Sequence, residues 1–324
     1  MGQSSAGYSF HDLRPDTGSF LDDVIEGLSR PQKALPPKYF YDERGCELFE
    51  AICDLPEYYL TRTETALMRD RAGEMARRIG PRATVIEFGS GSGRKTRLLL
   101  EALAPAVYAA IDIAATQLRE TAAGLARDFP GLPVLAVCAD YSRPLVLPEI
   151  GGPAAGRRIV YFPGSTIGNF TVAEAAQFLG NAGSVAGAGG GLLIGVDLKK
   201  NAALLNAAYN DTQGVTAAFN LNLLARVNRE LGADFDLSAF RHHSFYNAAL
   251  GRIEMHLVSL REQTVEVSGR RFRLLPGETI HTENSCKYSA REFQELALGA
   301  GLHAVECWMD SGGLFSVHYL AVPQ

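Results

Sequence analysis

A chain of 324 residues, 47% of them hydrophobic and 21% charged, has the composition of an ordinary soluble protein and the length for one large or two modest packed cores. Its net charge of −5 and its scattered 31 basic residues leave no electrostatic footprint for nucleic acid or a membrane surface, so the expected partner is a small molecule. Five cysteines (Cys46, Cys53, Cys138, Cys286 and Cys307), odd in number and without a CxxC pair, fit a reducing compartment and argue against a structural zinc site.

The first ten residues lack a basic n-region and an apolar core, and Ala6 stands where an acylation signal wants Ser or Thr. No run approaches membrane-spanning length, and the expected location is the cytoplasm. Phe20, Leu21, Val24, Ile25 and Leu28 share one face of a helix that stops near Pro31, after which Pro36-Pro37 forces an extended path. Between Lys38 and Glu64, Tyr39, Tyr41, Tyr58 and Tyr59 lie among charges, an odd composition for a linker. Thr61 and Glu64 have capping-box spacing, and Leu67, Met68, Met75 and Ile79 give the next helix its apolar face.

Val85-Ile86-Glu87-Phe88 reads as a buried parallel strand, followed by Gly89, Gly91 and Gly93 at alternate positions and then by a helix. Such a loop lets backbone approach a ligand without Cβ interference. A dinucleotide fingerprint wants its third glycine where this chain has Arg94, which argues against a nicotinamide oxidoreductase. The alternate spacing resembles motif I of S-adenosylmethionine-dependent methyltransferases instead. Val107 to Asp112 forms a second strand ending in an acid about twenty residues on, where a carboxylate can accept both ribose hydroxyls. A helix over Gln117 to Phe129 leads to a strand from Pro133 to Ala139, with Asp140-Tyr141 at its end in the usual adenine position. Glu87, Asp112 and Asp140 thus lie at the carboxyl ends of three strands, the edge where open α/β sheets bind ligands.

Further strands over Ile159 to Phe162 and Leu192 to Asp197 flank a helix at Val172 to Leu179. An insertion of about ninety residues, too long for a loop, precedes a helix at Arg291 to Leu298 and a closing hairpin of His303 to Met309 and Leu314 to Val322. The insertion begins helically through Ala203 to Leu231 and then alternates as a half-exposed sheet would. The predicted fold is a doubly wound, seven-stranded α/β sheet with a second α+β lobe. Residues 62–198 and 290–324 form the first domain, and residues 10–61 and 199–289 the second.

Several strings in consistent order then resemble one family: KYFYDERG, LPEYYLTRTE, EFGSGSGRKT, FPGSTIGNF, YNDTQGVTAAFNLN, NRELGADFD, RIEM and TENSCKY. Together, from about Ser19 to Ala321, they are similar to the histidine-specific Nα-methyltransferases of ergothioneine biosynthesis. The resemblance implies an S-adenosylmethionine-binding lobe, a family-specific substrate lobe and trimethylation of L-histidine to hercynine. It assigns Tyr58 and Asn169 to the backbone end of histidine, with Gly164 nearby and Tyr209 on the carboxylate. It assigns Glu283 and Ser285 to the imidazole, joined by Tyr41 through water, with Met255 as an apolar wall. For the cofactor it implies Gly89, Gly91, Lys95, Asp112, Asp140 and Tyr141. The catalytic assignment falls on Asn169 and Tyr41, which aim a deprotonated amine at the methyl group. One departure is Ala114, where the family often has a second acid, and Pro163 before Gly164 is a milder one.

In-line methyl transfer demands alignment and a neutral amine rather than a strong base. Two rival readings stay open: an Nα-methyltransferase for another amino acid, and a cofactor- or histidine-binding protein without catalysis. Glu283 disfavours the first, because a buried carboxylate opposite an apolar ring is costly. No metal is expected. His242-His243 lacks helical ligand spacing, and His11, His256, His281, His303 and His318 are dispersed in sequence. The closing hairpin shows no obvious exposed apolar stripe, so a monomer is the default.

Overall fold

The computed structural model describes residues 3–5, 7–13, 19–91, 93–141, 143–148, 150 and 156–324. Ala6, on which the acylation argument turns, and Ser92 of the glycine loop lie outside them. In chain order come strands β1 (Gln3–Ser5) and β2 (Tyr8–Asp12), helix α1 (Phe20–Ser29), β3 (Lys33–Ala34), α2 (Glu43–Cys53) and α3 (Tyr59–Ile79). The alternating part follows as β4 (Thr84–Phe88), α4 (Arg94–Leu103), β5 (Val107–Asp112), α5 (Ala115–Asp128), β6 (Val134–Cys138), β7 (Arg158–Phe162), α6 (Val172–Ala186) and β8 (Gly191–Asp197). Then come α7 (Ala202–Ala208), α8 (Val215–Leu231), β9 (Phe240–Asn247), β10 (Arg252–Ser259), β11 (Gln263–Val267), β12 (Arg270–Leu274) and β13 (Thr279–Cys286). Helix α9 (Ala290–Gly299) and strands β14 (His303–Met309) and β15 (Phe315–Ala321) close the chain.

The chain divides into two compact units. The first comprises Thr63–Leu198, Tyr288–Gln324 and the described residues of Met1–Asp16, and the second Thr17–Arg62 and Lys199–Lys287. The first unit is an α/β fold on a sheet ordered β1-β2-β6-β5-β4-β7-β8-β15-β14. All seven strands expected from the sequence are present, with β15 antiparallel to β8 and β14 antiparallel to β15. Two N-terminal strands extend them: β2 pairs in parallel with β6, Phe10 opposite Ala136. Phe10 to Asp12, assigned from the sequence to the second lobe, therefore belong to this sheet. Five apolar or alternating residues with one histidine and one aspartate are too short a run to separate a strand from a polar leader.

Every residue of β4 is buried, as a central parallel strand with helices on both faces requires. Capping boxes at Thr171/Glu174 and Ser289/Glu292 start α6 and α9. The box expected at Thr61/Glu64 is absent, because α3 begins two residues earlier and carries both inside its first turns. Edge strand β14 leaves Val305 47% and Met309 52% exposed, so the closing hairpin does present apolar side chains at the sheet edge.

The second unit holds a four-stranded sheet ordered β3-β13-β10-β9 and the separate β11-β12 ribbon. The helical run expected over Ala203 to Leu231 is broken into α7 and α8 by Tyr209 to Gly214, where Asp211 accepts from the Val215 and Thr216 N–H groups and so caps α8. Between β10 and β13 the register jumps, Met255 facing Glu283 while His256 faces His281, which leaves Thr282 as a bulge. Asn220 of α8 pins that irregularity: its Oδ1 accepts from Thr282 Oγ1 at 2.7 Å and its Nδ2 donates to the His256 carbonyl at 3.1 Å.

Candidate active site

In the first unit the chain leaves β4 through Gly89, Gly91 and Gly93, all with positive φ. At Gly89 (φ +72°) a Cβ would stand 3.3 Å from the Tyr141 hydroxyl, and around Gly91 (φ +45°) a Cβ would meet no atom within 4 Å. Both positions thus leave backbone open to a ligand, one beside an aromatic ring and one facing space. Tyr141 stacks on Phe88 with centroids 5.3 Å apart and planes 8° apart, next to Phe162 and Phe178. Asp112, at the end of β5, is half-buried and accepts from Ala114 N–H at 3.0 Å. Burial pushes its carboxyl up, against backbone N–H donors that favour the ionised form. Asp140 follows β6 with Arg143 3.8 Å away.

Two expected participants prove to be engaged inside the unit. Lys95 forms an ion pair with Glu64, which is 1% exposed and also accepts from Gly164 N–H at 2.9 and 3.0 Å. A Cβ on Gly195 would strike that carboxylate, so the glycine is what makes room for it. Glu64 is the residue that sequence reasoning missed: taken as a helix cap, it instead ties α3 to α4 and to the loop after β7. Glu87, counted among the acids of the ligand edge, is likewise committed inward. Its carboxylate accepts from Tyr108 Oη and from Thr96 Oγ1 at 2.8 and 2.9 Å. Burial raises it to about 7, with the two hydroxyls and the Lys95 charge opposing. Asn169 ends the short 3₁₀ turn Thr166–Asn169 after β7 and is half-buried.

The second unit gathers the remaining expected residues. Glu283 and Ser285 alternate along β13 and therefore share a face, Glu283 opposite Met255 and Ser285 opposite Ile253. Ser285 Oγ lies 2.8 Å from Tyr209 Oη, and the Tyr209 ring stands 6.2 Å from that of Tyr58. Burial raises the Tyr58 phenol most, and Tyr209, Cys53, Glu283 and Tyr41 are close enough to raise it further. Tyr41 is 37% exposed and meets Phe49 and Phe219 edge-on. Burial also pushes Glu283 up to about 7 although part of its surface is open, with the Lys287 charge opposing. Among the described residues no hydrogen-bond donor reaches its carboxylate. Lys287, unremarked in the sequence beyond its place in TENSCKY, is 2% exposed and lies 2.7 Å from Ser285 Oγ and 3.1 Å from Tyr209 Oη. His242 supports Tyr209 from behind. Its Nε2 donates to the Tyr209 carbonyl at 2.9 Å and its Nδ1 accepts from Asn220 at 2.9 Å, the neutral tautomer that burial favours.

Two of the dispersed histidines are in fact neighbours. Pairing of β10 with β13 stacks His256 on His281, centroids 4.8 Å apart, and brings Glu254 beside them in an arrangement that could hold a metal ion. Glu254 already pairs with Arg252 at 2.8 Å and with His256 Nε2 at 3.1 Å, while His281 Nε2 donates to the Glu283 carbonyl at 3.0 Å and the buried His256 Nδ1 has no hydrogen-bond partner among the described residues.

Comparison with known proteins places these features. Residues 20–322 match the model of the histidine-specific, S-adenosylmethionine-dependent methyltransferases. The histidine N-alpha-methyltransferase of Mycobacterium tuberculosis is 44% identical over 92% of this chain and 94% of its own length. That of Mycolicibacterium smegmatis is 42% identical over 91% and 92%. Ergothioneine biosynthesis protein 1 of Neurospora crassa is 33% identical over 93% of this chain, which spans 35% of that longer protein. The chain belongs to the family of histidine-specific, S-adenosylmethionine-dependent methyltransferases.

Proposed function

We propose that this enzyme methylates the α-amine of L-histidine three times to give hercynine, the first step of ergothioneine biosynthesis. The observation that carries the reading is that Glu283 and Ser285 share one face of β13 in the second unit, an acceptor opposite Met255 and a hydroxyl opposite Ile253. An imidazole supplies the complementary N–H and lone pair.

Gly89 and Gly91 would give backbone room to the methionyl part of S-adenosylmethionine, Asp112 would accept the ribose hydroxyls, and Asp140 with Tyr141 would hold the adenine. Lys95 is better suited to a shared role, since Glu64 already draws its charge. The cofactor supplies a methyl group on a sulfonium. The chain's own residues orient the amine: Asn169 accepts from it and aims its lone pair, and Gly164 shapes the approach. In each round a carbon–nitrogen bond forms as the carbon–sulfur bond breaks, S-adenosylhomocysteine leaves, and the amine sheds a proton before the next round. Because the Tyr209 hydroxyl is donated to Ser285, the phenol left for the histidine carboxylate is Tyr58.

Incubation with S-adenosylmethionine and a panel of amino acids, followed by mass spectrometry, tests the reading. Mono-, di- and trimethylated histidine are expected in succession and no other amino acid methylated. A different methylated amino acid, or none, overturns it.

A further inference from the structure

We propose that Lys287 is a positioning residue that fixes the hydrogen-bond polarity of Ser285, so that the site accepts only a side-chain ring carrying both an N–H and a bare nitrogen lone pair. The proposal rests on the assignment of Glu283 and Ser285 to the substrate ring and adds a residue and a rule to it.

Donors and lone pairs around Ser285 fix its polarity. An ammonium only donates. Ser285 Oγ, 2.7 Å from Lys287 Nζ, must therefore accept there, and Tyr209 Oη, at 3.1 Å, does the same. Between the two hydroxyls, 2.8 Å apart, the phenol is by far the more acidic and donates to the serine. Both lone pairs of Ser285 Oγ are then spent, one on Lys287 and one on Tyr209. Its single O–H is left to point at a ligand, strengthened by the cation on its own oxygen. Ser285 thus presents a donor and nothing else.

Glu283, two residues earlier on the same face, presents the opposite. Its carboxylate accepts, and the buried ammonium of Lys287 favours the ionised form. A neutral imidazole satisfies both groups. An imidazolium puts an N–H against the Ser285 O–H, and a ring lacking polar atoms leaves both groups desolvated and unpaired. Without Lys287, Ser285 recovers a lone pair and Glu283 takes up a proton more readily, so the polarity is lost while the cavity stays.

The test compares histidine with β-(2-thienyl)alanine, whose ring is of similar size but offers neither N–H nor nitrogen lone pair. Binding is read by calorimetry and as competitive inhibition of histidine methylation, which needs no turnover of the analogue. The wild-type enzyme is expected to prefer histidine by about 100-fold, and Lys287→Met to cut that preference below about tenfold, mainly by raising KM for histidine. Lys287→Arg, which keeps a buried donor-only cation, should restore part of the preference. Ser285→Ala should show the same collapse, and adding Lys287→Met to it should cost less preference than Lys287→Met costs alone, because only the part acting through Glu283 remains. This second variant keeps the proposal exposed if Lys287→Met fails to fold. If Lys287→Met weakens both ligands equally, or the losses of the two single variants simply multiply in the double variant, the proposal is overturned. Wild-type enzyme that methylates no histidine overturns the proposed function itself and this inference with it.

Discussion

Glu87 in the first unit and Glu283 in the second are both pushed up to about 7 by burial, yet their surroundings are opposite. Around Glu87 the fold supplies its own donors, Tyr108 and Thr96, and the carboxylate is fully spent holding β4 to β5 and α4. Around Glu283 there is a cation nearby and an apolar neighbour across the strand, but no donor among the described residues. Equal desolvation therefore marks two different things. Where the protein completes the hydrogen bonds, the buried acid is structural; where it leaves them incomplete, the acid is waiting for a ligand.

The largest effect expected from this contrast is in Glu87→Ala, which strands two buried hydroxyls. A loss of roughly 2–5 kcal/mol in urea unfolding is expected, since each unsatisfied donor costs about 1–3 kcal/mol. A loss under about 1 kcal/mol would remove the structural role from Glu87.

The next is a pH effect. Because the folded carboxyl of Glu87 titrates above its unfolded value, the native state binds the proton more tightly. Its stability contribution is lost as pH rises from about 4.5 to 7, and the penalty is complete above about 7. Glu87→Gln has no such titration. Relative to wild type it should gain up to about 3 kcal/mol between pH 5 and pH 8, whatever its offset at either. An offset independent of pH would show that Glu87 titrates normally.

The smallest sharpens the other side. His242→Ala removes the donor to the Tyr209 carbonyl and the acceptor for Asn220, without touching Glu283. Histidine KM should rise by a factor of about 3–10, as for one buried hydrogen bond, with kcat little changed. A fall in kcat at constant KM would place His242 in the chemistry instead of behind Tyr209.

How much of this was legible in the sequence follows the same division. The parallel strands were readable because β4, β6 and β8 are buried on both faces and so appear as unbroken apolar runs. The glycine loop was readable because positive φ at Gly89 and Gly91 demands that residue type. Strands β9 and β13 were not. Their runs FRHHSFYN and TIHTENSC break the alternation because Thr282 bulges and because Ser244, Thr282 and Ser285 are buried polar groups. Glu64 was misread for a related reason: spacing that suits a cap says nothing of a partner a hundred residues away at Gly164. Nor does spacing bring His256 to His281, which depends on strand register.

The central claim is that Glu283 is an acceptor completed only by the substrate ring. Its most direct test is the affinity of wild type and Glu283→Gln for β-(1,2,4-triazol-3-yl)alanine, whose ring keeps an N–H and a lone pair without gaining a proton between about pH 5 and pH 8. Wild-type affinity is predicted to hold above about 7 and to fall toward tenfold per pH unit below it, as Glu283 protonates, while Glu283→Gln shows no such fall. A wild-type affinity that is flat across the range, or an equal fall in both proteins, would contradict the account.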